Sequence, residues 1–105
     1  MHTLGIAFST AYLTARDAIP VTPDVGFNVL VLKPGQQNRW DPEEDAVRLC
    51  SMATGKLRVK MEDSEHEFQV GPNGLFKVRP GAAVLVTNRL YVDAVVHVTT
   101  VRVQE

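Results

Sequence analysis

Few side chains in this sequence have the types and spacing that metal binding or nucleophilic catalysis requires. The candidates are three histidines and one cysteine, namely His2, His66, His97 and Cys50. A site for Fe, Mn, Ni or Zn needs imidazoles and a carboxylate that converge. Cys50 has no CxxC partner and no recognisable His-Asp arrangement, which disfavours a nucleophilic role. Since a Gly-x-Ser-x-Gly motif and a phosphate-binding glycine loop are also missing, we predict a protein that is not an enzyme.

The acidic stretch DPEED at residues 41–45 contains the best carboxylate donors. Asp41 and Glu43 could hold a hard cation in principle, but no other obvious donors accompany them. We therefore predict a solvated loop whose charges limit strand pairing at an edge. No metal and no other cofactor is expected.

Two histidines receive structural interpretations. His97 lies between Val96 and Val98 in an apolar strand, which predicts a half-buried structural histidine. His66 lies in a polar hairpin and is predicted to be solvated.

Four large apolar side chains have two interpretations each. Trp40 follows Arg39 in a polar segment, where it is either an exposed interface anchor or a lid over one end of the fold. Phe8, Tyr12 and Leu13 pack either on the remainder of the chain or on a partner.

Length and charge limit the class of protein. A chain of 105 residues is expected to form one domain over 1–105, in which 1–18 is a possible N-terminal extension. The 11 basic and 12 acidic side chains supply no excess for phosphate contacts, so direct nucleic-acid binding is not expected. The single cysteine, the absence of a basic leader and the absence of an apolar run of ~20 residues predict a soluble intracellular protein without a membrane span.

The order of β-branched runs and turn residues predicts an all-β sandwich or barrel. The predicted strands cover 4–8, 11–16, 27–33, 46–53, 56–61, 66–70, 75–79, 83–87 and 92–103. The two prolines of segment 20–24 predict a break in regular structure, and the polar segment 36–45 predicts a loop. Asn73-Gly74 is the clearest turn, because asparagine and glycine tolerate positive φ.

Two predicted strands, 27–33 and 92–103, are apolar on both faces. An antiparallel strand of this kind must be covered on both sides. One face fits the interior, and the other, which includes Val95, Val101 and Val103, needs the N-terminal segment or another subunit. The pattern therefore predicts a homodimer.

Glycine spacing then points to a family. The chain reads Gly35-x5-Asp41-x-Glu43-x4-Arg48-x6-Gly55, and later Gly74-x6-Gly81-x2-Val84-x3-Asn88. This spacing resembles the two sequence blocks of the cupin barrels, in which the ligand places carry three histidines and one glutamate. The four places here hold Asp41, Glu43, Arg48 and Val84. The resemblance implies a cupin-like jelly roll that has lost its metal ligands.

Within the cupins, the chain is similar to the C-terminal dimerisation domain of centromere protein C (CENP-C). The similarity rests on NVLVLKPG at 28–35, on ATGKLRV at 53–59, and on Phe76, Val78, Gly81, Val86 and Asn88 of the second block. Pro80 is shifted by one position from the family pattern, and the closing strand lacks the usual ending.

The similarity implies homodimerisation, recruitment of kinetochore or centromere-loading proteins, and a location at the centromere in the nucleus. On this interpretation Phe8, Tyr12, Leu13, Trp40, Val95, His97, Val101 and Val103 are the candidates for dimer or partner contacts. Two alternatives remain at this point: a small cupin that binds a small molecule, and a metal-dependent cupin enzyme whose ligands lie at other positions.

Overall fold

In a computed structural model, which describes residues 2–3 and 7–103, the chain consists of short antiparallel strands and one helical turn. The elements are β1 (His2–Thr3), β2 (Ala7–Phe8), α1 (Thr10–Leu13), β3 (Ile19–Thr22), β4 (Val25–Leu32), β5 (Gln37–Trp40), β6 (Ala46–Thr54), β7 (Leu57–Met61), β8 (Glu67–Val70), β9 (Leu75–Val78), β10 (Val84–Thr87) and β11 (Ala94–Arg102). In the part of the chain that the structure describes, no helix has the length and apolarity to cross a membrane.

The strands form two main sheets. One has the order β5-β10-β7-β8 and the other the order β3-β4-β11-β6-β9, while β1 and β2 make a separate pair. The predicted all-β jelly roll is confirmed. Strands adjacent in space are often distant in sequence, as in the β4–β11 pair, which places Val31 opposite Val95.

The core lies between the two main sheets, because each strand directs alternate side chains inward. Strand β10 illustrates this: Val84 and Val86 are fully buried, and Val86 is paired with Val59, which is also fully buried. Burying a valine side chain contributes about 1.5–3 kcal/mol. The core cluster continues through residues of both sheets, among them Leu32, Cys50, Met52, Leu57, Phe76, Val78, Val96 and Val98.

Turns at positive φ connect the strands. Gly55 has φ +75° and lies so close to β11 that a Cβ atom there would be 2.8 Å from the Asp93 carbonyl oxygen. Gly35 has φ +79°, but the space around it is open. Asn73 has φ 68°, as the Asn-Gly turn predicts.

Buried Asn88 fixes the loop between β10 and β11. Its Nδ2 donates to the carbonyl oxygens of Leu32 at 2.9 Å and Val92 at 2.8 Å. Its Oδ1 accepts from the Leu90 N–H at 3.0 Å. One fully buried side chain therefore holds β4 and this loop together.

Three local predictions are wrong. Segment 11–16 is not a strand, because the Ser9 side chain accepts from the Tyr12 N–H and caps a helical turn at Thr10–Leu13. The predicted loop 36–45 contains β5, which pairs with β10 despite its polar sequence. The predicted break at 20–24 contains most of β3, an edge strand, where a proline needs no ladder partner on its solvent side.

The ends of two predicted strands also differ. Of the predicted strand 4–8, positions 4–6 lie outside the described residues, and Ala7–Phe8 belong to β2. The strand predicted at 92–103 begins at Ala94, because Val92 lies in the loop where its carbonyl accepts from Asn88.

Candidate functional site

The last ligand place of the cupin spacing lies in the core. Val84 is fully buried in β10, where it is paired with Trp40 of β5 on one side and Met61 of β7 on the other. A valine side chain has no lone pair for a metal. The position therefore contributes to apolar packing.

Arg48 occupies the carboxylate place on β6, in the opposite sheet. Its guanidinium carbon lies 5.6 Å from the centre of the Trp40 ring, within cation–π distance. Its Nη2 donates to the carbonyl oxygens of Asp41 at 3.0 Å and Ala82 at 3.4 Å. A positive charge held at this position opposes a metal cation.

The two acidic ligand places lie outside the core. Asp41 accepts a 2.7 Å hydrogen bond from Arg39, and 88% of its side chain is exposed. Glu43 is also exposed. Among residues 2–3 and 7–103 there is no group of three or more His, Cys, Asp or Glu side chains that could hold a metal ion. The donor set at these four places does not fit the metal that the cupin spacing implies.

Cys50 is fully buried in β6. Burial raises the pKa of its thiol to about 12, against the smaller, lowering effect of the Arg48 charge. The thiol is therefore protonated at neutral pH and is a poor nucleophile.

Trp40 faces the interior, which agrees with the interpretation of its side chain as a lid over one end of the fold. Only 8% of the residue is exposed, and its ring stacks on Phe76 with 6.1 Å between ring centres. Phe76 in turn contacts Phe68 edge-on. Trp40 is thus part of the core at one end of the barrel, where its side chain is not an exposed anchor.

The other face of the five-stranded sheet points away from the core. Directly paired residues of antiparallel strands share a face, so register defines this surface, which we call the outer face. It comprises Phe27, Val29, Val31, Val47, Leu49, Ser51, Leu75, Lys77, Val95, His97, Thr99 and Val101. Most of these side chains are apolar, and most are half-buried.

His97 lies near the middle of the outer face. It is paired with Val29 on β4 and Ser51 on β6, and its ring contacts Phe27 edge-on at 5.7 Å. The prediction of a half-buried histidine is wrong, because its two buried neighbours in sequence, Val96 and Val98, point to the opposite face. His66 is exposed, as predicted.

The structure brings together some of the predicted contact residues. Val95, His97 and Val101 share the outer face of β11, and Val103 follows the strand with 43% exposure. The N-terminal candidates lie beside β4, next to the part of that strand that β3 does not pair with, where Thr14 forms a parallel bridge with Val29.

The three N-terminal candidates differ in exposure. Phe8 and Leu13 are half-buried, and Tyr12 is 39% exposed. The Phe8 and Tyr12 rings stack with 6.0 Å between centres.

Sequence reasoning missed several exposed apolar residues. Leu75 on β9 is 65% exposed. It is paired with Ser51 of β6, which is paired with His97 on its other side, so Leu75 and His97 share the outer face. The alternation of β9, with Phe76 and Val78 buried, is the signal that could have identified it. Tyr91 is 98% exposed in the loop before β11, and no periodic pattern marks it.

Comparison with known proteins assigns the fold to a class. No family model matches the chain, and no curated protein matches its sequence. Solved structures do match, and among them are cupin, or double-stranded β-helix, domains. The chain therefore has the cupin fold.

Three of these structures show the extent of the likeness. The Cnp3 cupin domain of Schizosaccharomyces pombe has a TM-score of 0.77 at 14% identity, over 92% of this chain and 69% of that chain. The Cupin_2 domain of an XRE family transcriptional regulator from Enterobacter cloacae has a TM-score of 0.72 at 14% identity, over 84% and 97%. TT1209 from Thermus thermophilus has a TM-score of 0.73 at 20% identity, over 93% and 98%. At these identities the likeness defines the fold alone.

Proposed function

We propose that this chain is a non-catalytic homodimerisation and protein-interaction module of a kinetochore or centromere scaffold, located at the centromere in the nucleus. The similarity of its sequence blocks to the CENP-C dimerisation domain supports this, as does its likeness in fold to the cupin domain of Cnp3, a CENP-C homologue. The module neither binds nucleic acid directly nor contacts a membrane. Its partners are a second copy of itself and kinetochore or centromere-loading proteins.

The observation that carries the dimer is the apolar outer face. A nine-residue strand such as β11 is about 30 Å long, and five strands at ~4.8 Å spacing are about 24 Å wide. Because β3 and β9 hold only four residues each, the sheet offers roughly 540 Å², about two-thirds of the ~800 Å² per partner of a standard interface. Leu75 and the half-buried valines supply the apolar contacts there.

The barrel interior supports a binding role over a catalytic one. Val84 fills the core at one ligand place, and Arg48 puts a positive charge at another. A dimer of such barrels places two attached chains side by side. Two weak contacts made by those chains then act together and raise avidity by ~10²–10⁴ where geometry permits.

Light scattering of the purified protein tests the dimer. We expect twice the chain mass for the wild type and a monomer for His97→Asp, because a charge buried without a partner at the interface is costly. His97 is exposed in the single chain, so the substitution spares the core. Tyr91→Asp, at a 98% exposed loop position, is the control and should remain dimeric. A monomeric wild type contradicts the proposal.

The centromere role needs a separate experiment. The full-length protein with a fluorescent tag should overlap a centromere marker in dividing cells, and the His97→Asp variant should lose part of that signal as avidity falls. A diffuse wild-type signal would contradict the location while leaving the dimer intact.

A further inference from the structure

A cavity opens at the end of the barrel where Trp40 and Arg48 meet. Its volume is about 220 Å³, enough for several water molecules or a small organic acid. The walls come from four parts of the chain: the segment before β3, the inner face of β4, the inner face of β11, and the neighbouring parts of β5 and β6 with the loop between them. The outer face is on the opposite side of the five-stranded sheet.

Two buried N–H groups on the walls of this cavity have no hydrogen-bond partner among the described residues. They are the indole Nε1 of Trp40 and the guanidinium Nε of Arg48. A buried donor without a partner destabilises the fold, so such groups are rare and call for an acceptor. Both groups are donors only, and their side chains are neighbours, since the guanidinium carbon of Arg48 lies 5.6 Å from the centre of the Trp40 ring.

The positive charge of Arg48 is also uncompensated. Among the described residues, no carboxylate lies within 4 Å of it, and its Nη2 bonds only to main-chain carbonyls. The neighbouring Arg39, by contrast, is paired with both Asp41 and Glu62. Arg48 therefore brings into the cavity a positive charge whose partners among the described residues are main-chain oxygens, and its Nε has none there.

We propose that this cavity binds a small monocarboxylate, whose oxygens accept hydrogen bonds from Arg48 Nε and Trp40 Nε1. A planar anion with two acceptor oxygens satisfies both orphan donors and the charge at once. The walls carry acidic and basic residues in equal number, which leaves no excess positive charge for a dianion such as phosphate: Asp17, Asp41, Glu43, Arg16, Arg39 and Arg48. This site is independent of the proposed dimer, because it involves the opposite face of the sheet.

Trp40 provides a direct probe, because it is the single tryptophan of the chain. Its indole N–H therefore gives one resonance in a ¹⁵N–¹H correlation spectrum. Sodium acetate or butyrate should shift this resonance in a saturable way at millimolar concentrations. Three controls should leave the resonance unshifted: acetamide, which has the shape of acetate but no charge; sodium phosphate; and sodium chloride at matched ionic strength. No saturable shift with either carboxylate, an equal shift with acetamide, or a stronger one with phosphate would each overturn the proposal.

Two variants and a control locate the site. Arg48→Lys keeps the charge but loses Nε, and should weaken carboxylate binding about tenfold or more, as expected for a lost hydrogen bond to a charged group. Trp40→Phe keeps an aromatic ring against Phe76 and should weaken binding as well, measured from main-chain amide shifts. Arg58→Lys, whose side chain pairs with Glu67 on the exposed surface, should bind as the wild type does. Unchanged affinity in Arg48→Lys would refute the assigned contact, whatever the state of the dimer.

Discussion

Replacing Asn88 by alanine removes three hydrogen bonds from the loop between β10 and β11. The lost contacts join the side chain to the carbonyl oxygens of Leu32 and Val92 and to the N–H of Leu90, at 2.8–3.0 Å. Asn88 is fully buried, so water does not replace the lost groups without local opening. We expect a large loss in the free energy of unfolding.

The magnitude follows from the number and burial of the bonds. Each contributes about 0.5–1.5 kcal/mol net, and the orphaned Leu32 carbonyl adds a desolvation cost, which gives a loss of about 3 kcal/mol. In a domain of this size, that corresponds to a drop in Tm of about 10–20 °C. A loss of this size is a large fraction of the ~5–15 kcal/mol that stabilises a typical domain.

Urea unfolding, followed by Trp40 fluorescence, measures the effect. All variants must be compared at one protein concentration, because dimerisation adds a concentration-dependent contribution to stability. Gln69→Ala, at an exposed position on β8, is the control and should lie within ~0.5 kcal/mol of the wild type.

A second variant separates the donors from the acceptor. Asn88→Asp retains an oxygen for the Leu90 N–H but loses both Nδ2 donations, so it should be at least as destabilised as Asn88→Ala at neutral pH. A loss below ~1 kcal/mol in Asn88→Ala, or an Asn88→Asp variant as stable as the wild type, would refute the assignment of Asn88 as the link between β4 and the loop.

Three further predictions concern the turns and the titratable groups. Gly35→Ala should lower the free energy of unfolding by about 1 kcal/mol for its positive φ alone. Gly55→Ala should lower it by at least ~1 kcal/mol more, because its Cβ would meet the Asp93 carbonyl at 2.8 Å. Equal losses in urea unfolding would contradict the contact. Cys50, with its pKa raised to about 12, should react with iodoacetamide at neutral pH only on unfolding, and rapid labelling of the native protein would contradict its burial. The hydrogen bond and charge of Arg58 hold the pKa of Glu67 below its ordinary 4.5, so the pair stabilises the fold above that pH and loses its effect as the pH falls through the folded-state pKa. An NMR titration of Glu67 should show this low pKa, and Arg58→Gln should restore the ordinary value.

Strands with clear alternation could be predicted closely from the sequence. Segment 56–61, in which Leu57 and Val59 alternate with charged residues, corresponds to β7 at Leu57–Met61, and segment 75–79 corresponds to β9 at Leu75–Val78. The period-2 pattern is a local property of the chain, because successive side chains of a strand point alternately to its solvent-exposed face and its buried face. The glycine spacing similarly predicted the cupin fold that the solved structures share.

Elements that depend on a distant partner could not be predicted in this way. The polar sequence of β5 forms a strand because β10 lies beside it, and a ladder of main-chain hydrogen bonds does not require apolar side chains. The exposure of His97 was missed for a related reason, since it depends on which face of β11 meets the core.

The sequence by itself determined the strand rhythm, the glycine turns and the replacement of metal ligands at Arg48 and Val84. Tertiary structure alone decided what those replacements do. Arg48 on β6 and Trp40 on β5 belong to different sheets, and they meet only when the two sheets close on each other. Local patterns specify which face of a strand is buried. Contacts between side chains of opposite sheets depend instead on the long-range pairing of the strands.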